Sequence, residues 1–127
     1  MSAEENKVVI RRLFEEAVNQ GDMTVVDERY APDFVDHSAL PGQLPGPAGI
    51  KDAVSAFRAT IPDLKDTIDA MSDEGDRVLT QETWRGTNPS TGKQTTGTIT
   101  HIFVFQDGKI VEEWSEGWES LSQLGIS

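Results

Sequence analysis

The sequence predicts an α+β domain: a curved antiparallel sheet with three helices packed on its concave side, enclosing a pocket. Three observations predict it. Apolar residues recur at helical spacing through the first half of the chain. After Pro62 the pattern changes to runs rich in β-branched and aromatic residues. Asp107-Gly108, between two such runs, is the pair that a two-residue hairpin turn requires. Helices followed by a run of strands bury an apolar helix stripe against one sheet face. A strongly curved sheet with helices on its concave side makes a cone, and its open end can hold a pocket.

Ser2 followed by Glu5 has capping-box spacing. Val9, Ile10, Leu13, Phe14, Ala17 and Val18 then form one helical stripe, giving a helix over about 3–20 closed by Gly21. Asp22 caps a short second helix through Met23, Val25, Val26 and Tyr30, stopped by Pro32. Residues 33–37 read as a short strand, and 39–47, with three prolines and two glycines, as a loop. Pro47 suits the first turn of a third helix, whose apolar face is Ile50, Val54, Phe57 and Ile61; Pro62 ends it. Strands follow over 64–71, 77–85, 95–105 and 109–118, with turns or loops at 72–76 and 86–92. A short element over 121–124 closes the end.

The chain has 127 residues, which suits a single domain over 1–127. It has no cysteine, which excludes disulfides, thiolate catalysis and cysteine zinc sites. Its 22 acidic and 11 basic side chains give a net charge of −11 with no basic stripe. Nucleic acid and anionic membranes are therefore poor partners, because both need clustered Lys and Arg. No apolar run approaches the ~18 residues of a membrane span, and the first residues lack the basic and apolar regions of a signal peptide. A cytoplasmic protein is expected. Gly-x-Ser-x-Gly, phosphate-binding and dinucleotide motifs are absent. His37 and His101 have no local spacing motif, so no metal is expected.

Alternation nominates the chemistry. In the last strand Ile110, Glu112, Trp114, Glu116 and Trp118 share one face, and Val111, Glu113 and Ser115 the other. The face with both tryptophans is the expected pocket wall, and its apolar surroundings would raise a carboxyl toward neutral pH. Glu116 is the favoured acid/base. His101 alternates with Ile99, Phe103 and Phe105, as a satisfied core histidine or as a group facing a bound carbonyl. Glu82 alternates with Thr80 and Trp84, and Gln81 and Arg85 take the opposite face; which face is inward stays open. His37 follows Asp36 near the expected mouth.

Several segments carry a resemblance. Asn19-Gln-Gly-Asp22, Tyr30 to His37, Gly49-Ile50, Ile61-Pro-Asp-Leu64, Gly75-Asp-Arg-Val78, Gly86-Thr87, Thr91-Gly-Lys93, Asp107 to Glu112, Trp114 and Gln123-Leu-Gly125 resemble the SnoaL-like polyketide cyclases in order and spacing. The resemblance spans nearly the whole chain. It implies the cone-shaped fold of the nuclear transport factor 2-like superfamily, a homodimer formed through the outer sheet face, and no metal or organic cofactor. It also implies aldol-type ring closure, isomerisation or dehydration of a hydrophobic carbonyl compound by carboxylate acid/base catalysis. The family's acid usually lies four residues after the tryptophan, which here is Trp118; counting back from Gln123 gives Glu116. On this reading Glu116, His101 and Glu82 are the catalytic candidates. Trp84, Trp114, Trp118, His37, Tyr30 and Phe103 would bind substrate, with Tyr30 as a donor such as ketosteroid isomerase uses. The alternatives are an epoxide hydrolase built from Glu82, Glu116 and Arg85, or a non-catalytic small-molecule binder.

Overall fold

The structure, a computed structural model, describes residues 2–118. The element expected over 121–124 lies outside them. Among the described residues the order is α1 (Ala3–Arg12), a π-helical continuation (Leu13–Val18), α2 (Thr24–Arg29), β1 (Tyr30–Asp36), α3 (Gly46–Thr60), β2 (Lys65–Glu74), β3 (Arg77–Thr87), β4 (Gln94–Gln106) and β5 (Lys109–Glu116). The five strands form one curved, unclosed sheet in the order β1-β5-β4-β3-β2. Neighbours are antiparallel except β1 and β5, which run parallel.

The local signals produce these elements. Ser2 and Glu5 close a reciprocal capping box on α1. The expected first helix changes to π-winding over its last turns, a wider coil that buries Leu13, Phe14, Ala17 and Val18 together. Asp22 accepts from the Thr24 N–H at 3.0 Å and opens α2. Tyr30 begins β1 instead of ending α2: its backbone is already extended, at φ −92° and ψ 134°, and Ala31, the residue before Pro32, is pushed the same way. Pro32 is tolerated in β1 because that strand is at the sheet edge. β2 extends to Glu74, so the turn to β3 is only Gly75-Asp76. Asp107 and Gly108 both have positive φ, at 53° and 77°, as the tight hairpin requires.

The core lies between the helices and the concave sheet face. It joins Val9, Ile10 and Phe14 of the first helix, Val54 and Phe57 of α3, and Trp84, Ile99, Phe103 and Ile110 of the sheet. A bulge in β5 decides which groups enter this interior. Phe105 pairs with Ile110 but Val104 pairs with Glu112, so Val111 is an extra residue. One extra residue turns every later side chain to the opposite face. Ile110 points inward, and after the bulge Glu113 and Ser115 do.

Candidate active site

Inside the cone, Glu82, His101, Glu113 and Tyr30 make one chain of contacts, with Thr80 and Trp84 donating to Glu82. Thr80, Glu82 and Trp84 share the inner face of β3, which resolves the alternative left open by the sequence. Glu82 is fully buried. Its carboxylate accepts from the Thr80 hydroxyl at 2.7 Å and from the Trp84 indole N–H at 3.0 Å. It also meets His101 Nδ1 at 2.9 Å. An ionised carboxylate can only accept, so Nδ1 carries the hydrogen and the other ring nitrogen is turned toward Glu113. His101 Nε2 lies 3.9 Å from Glu113 Oε2, and the Tyr30 hydroxyl donates to Glu113 Oε1 at 2.9 Å.

The electrostatics follow from burial. Burial raises the Glu113 carboxyl; His101 and the Tyr30 hydrogen bond pull it down, Asp36 and Glu82 push it up, and the net is about 7. Burial alone would lower the His101 imidazolium, but the charge and hydrogen bond of Glu82, with Glu113 and Asp36, raise it overall. Burial and Glu113 push the Tyr30 phenol well above its ordinary value, so it remains a donor. A carboxyl poised near neutral pH beside a histidine that holds its proton suits acid/base work.

Tyr30, His101 and Glu113 face a narrow apolar cavity of about 50 Å³, walled by Leu13, Phe14, Val54, Phe57 and Trp118. Trp118 closes one side. Its ring stacks on Phe57 with centroids 5.5 Å apart and meets Trp84 edge-on, while its N–H donates to Ser115 Oγ at 2.6 Å. Phe103 stacks on His101 at 5.2 Å. Asp36 sits at the rim, where Gln43 Nε2 and the Ser38 N–H donate to its carboxylate.

His101, Glu82, Trp84, Trp118, Tyr30 and Phe103 are thus brought together. Glu116, Trp114 and His37 are not. The bulge puts Glu116 and Trp114 on the outer face, Glu116 is exposed, and His37 stacks on Trp114 at 4.3 Å with its Nε2 3.0 Å from Glu112. Placing Glu116 on the pocket wall assumed unbroken alternation along β5, and Val111 breaks it. Glu82, Glu116 and Arg85 are likewise not assembled, since Glu82 is inside and the other two are exposed on the outer face. Sequence reasoning missed Glu113 and Asp36. The available signal was Ile110-Val111-Glu112-Glu113, two apolar residues and then two acids, a pattern regular alternation does not produce. Among the described residues no group of three His, Asp or Glu side chains is placed to hold a metal ion.

The profile of the SnoaL-like polyketide cyclases matches residues 8–117. The chain belongs to the SnoaL-like polyketide cyclase family. It is similar to IdmH of Streptomyces antibioticus, a proposed polyketide cyclase, with 30% identity over 95% of this chain and 99% of that one and a TM-score of 0.80. A proposed polyketide cyclase from Bacillus cereus shares 25% identity over 98% and 85% of the two chains, with a TM-score of 0.85. A protein of ketosteroid isomerase-like fold from Catenulispora acidiphila, 18% identical over 94% and 93%, superposes with a TM-score of 0.74 and shows the shared fold. No curated protein matches the chain. In this SnoaL-like chain the residue four beyond Trp114 is Trp118, an aromatic wall of the cavity.

Proposed function

We propose that this SnoaL-like protein closes a ring in a polyketide-like or other hydrophobic carbonyl compound by intramolecular aldol chemistry, without a cofactor. The observation that carries the reading is Glu113, a buried carboxyl raised to about 7 that faces an apolar cavity between Tyr30 and His101. Its carboxylate takes a proton from the carbon next to a carbonyl. The His101 imidazolium, held by Glu82, donates to that carbonyl oxygen and stabilises the enolate. The enolate carbon attacks a second carbonyl of the same molecule, and the new alkoxide recovers the proton from Glu113. No atom is gained or lost. Tyr30 orients Glu113, and Phe103, Trp84 and Trp118 hold the apolar body of the substrate.

A ligand of this class needs roughly 300 Å³ or more, so Trp118 and the loop over 38–44 must move outward as it binds. Entry should therefore change tryptophan fluorescence. A cytoplasmic homodimer goes with the same reading and rests on composition and family likeness.

The test is ring closure of a panel of hydrophobic poly-β-keto esters. Glu113→Gln should cut turnover by at least about a hundredfold, and Glu116→Gln should leave it within about threefold of wild type. Near-normal turnover by Glu113→Gln would reject the role. Thermal stabilisation by the esters without product would support the non-catalytic binder instead.

A further inference from the structure

Asp66 takes no part in the steps assigned to Glu113 and His101, yet it is a buried acid on the inner face of β2, 3% exposed. Neither of its carboxyl oxygens meets a hydrogen-bond partner among the described residues. Its peptide group, by contrast, is clamped. The Asp66 N–H donates to Asn19 Oδ1 at 2.7 Å, and Asn19 Nδ2 donates to the Asp66 carbonyl at 2.9 Å. The side chain cannot turn outward without breaking that clamp.

The strand register relates Asp66 to the site. Asp66 pairs with Trp84 and Ile68 with Glu82, so Asp66 and Glu82 are diagonal neighbours on one face. Diagonal positions lie roughly 7–8 Å apart, within reach of long side chains. The donors are shared unequally. Thr80, Trp84 and His101 all end on Glu82, and none ends on Asp66. Two buried carboxyls at neighbouring positions on one face disfavour each other's ionisation. The one with three donors keeps the charge and the one without keeps the proton. The other charged groups facing this region are Arg11 and Glu15 of the first helix and Lys65 and Asp69 of β2, which line the cleft between the π-helical segment and β2. Arg11 and Lys65 are exposed, and neither makes an ion pair with Asp66 among the described residues. Burial first, then the charges of Glu82 and Asp69, push the Asp66 carboxyl up to about 9.

We propose that Asp66 is a positioning residue of the same site, a buried carboxylic acid whose proton keeps Glu82 the charged partner of His101. This rests on the reading of His101 as a proton-carrying group. An asparagine would fill the same space without a group forced to stay protonated, so the acid costs stability. Residues that do so are often kept for function. Loss of the Asp66 proton puts a second negative charge beside Glu82 and tightens its hold on the imidazolium. His101 then keeps its proton to higher pH, so the imidazolium that stabilises the enolate persists into alkali. Asp66 thereby moves the alkaline limit of the site upward.

Carboxyl-carbon NMR of the ¹³C-labelled chain tests this directly, with the Asp66 signal identified by its loss in Asp66→Asn. Asp66 should remain protonated through neutral pH and titrate near 9. Glu82→Gln should lower that midpoint by about one pH unit or more, because the neighbouring charge is gone. If Glu82→Gln does not fold, the comparison of His101 in wild type and Asp66→Asn carries the test. The His101 ring signal should lose its proton at higher pH in wild type than in Asp66→Asn, with the two curves coinciding on the acid side. A midpoint in the ordinary carboxylate range, a midpoint unmoved by Glu82→Gln, or superimposable His101 curves would each overturn the proposal. None of these readouts needs turnover, so an inactive cyclase assay and a failed titration are separate results.

Discussion

Glu113 concentrates the chemistry of this molecule in one side chain. It is desolvated, it accepts from one phenol, and it faces one imidazole across 3.9 Å. Each neighbour can be removed and its effect given a sign. The Tyr30 hydrogen bond lowers the Glu113 carboxyl, so Tyr30→Phe should move it above 7. The acid limb of the pH–rate profile should shift upward with it, and carboxyl NMR should show the same displacement. The buried oxygen left without its donor should cost about 1–3 kcal/mol in urea unfolding. Glu82→Gln acts on the other side. Glu82 holds the His101 proton, so its loss should lower the His101 midpoint, read as an earlier shift of the ring signal in NMR titration. His101, Glu82, Trp84 and Phe103 were nominated by alternation along regular strands, and those strands run without a break where these residues stand. Glu113 was not, because nothing in its own residue type separates it from Glu112.

At the scale of elements, one residue of β5 and one glycine of α3 control the site. Deleting Val111 would restore unbroken alternation and drive Trp114 and Glu116 into the space of Glu113 and Ser115. The expected loss is several kcal/mol, enough to unfold a domain of ordinary stability, and circular dichroism reads it. Gly49 lets α3 touch the loop over 38–44: a Cβ there would run into the Leu44 carbonyl oxygen. Gly49→Ala should therefore cost about 1–3 kcal/mol and displace the loop that carries Leu40 and Gln43 to the cavity, seen as a lower Tm. The loop was legible as a loop from its prolines and glycines. Its contact with α3 was not, since no local pattern records which carbonyl a helix will meet.

For the molecule as a whole, the buried groups set an unusual dependence on pH. Glu113 rises from 4.5 to about 7 on folding and Asp66 from 3.8 to about 9, and His101 is raised as well. Each binds its proton more tightly folded than unfolded. Their contribution is therefore complete below the unfolded values and is lost as pH rises through the folded ones. Asp22 and Asp63 act oppositely: hydrogen bonds from Thr24 and Thr87 hold them below 3.8, so their contribution disappears in acid. Self-repulsion from the net charge of −11 adds to the loss at high pH. Urea midpoints should peak near pH ~5 and fall steadily to pH ~9. A plateau from 5 to 9 would contradict the assigned burial. No helix among the described residues is long and apolar enough to cross a membrane.

The sequence by itself determined the fold class, the order of helices and strands, the family, and the inward-or-outward pairing of residues along β3 and β4. Those are consequences of periodicity, caps and turn chemistry, which act over a few neighbouring residues. Tertiary structure alone decided that β1 runs parallel to β5, that β3 turns Glu82 inward, that Val111 is extra, and that Asn19 clamps Asp66 across 47 positions of chain. Each depends on which strand lies beside which. A shift of a single residue in that pairing exchanges the solvent face for the cavity, and with it Glu116 for Glu113.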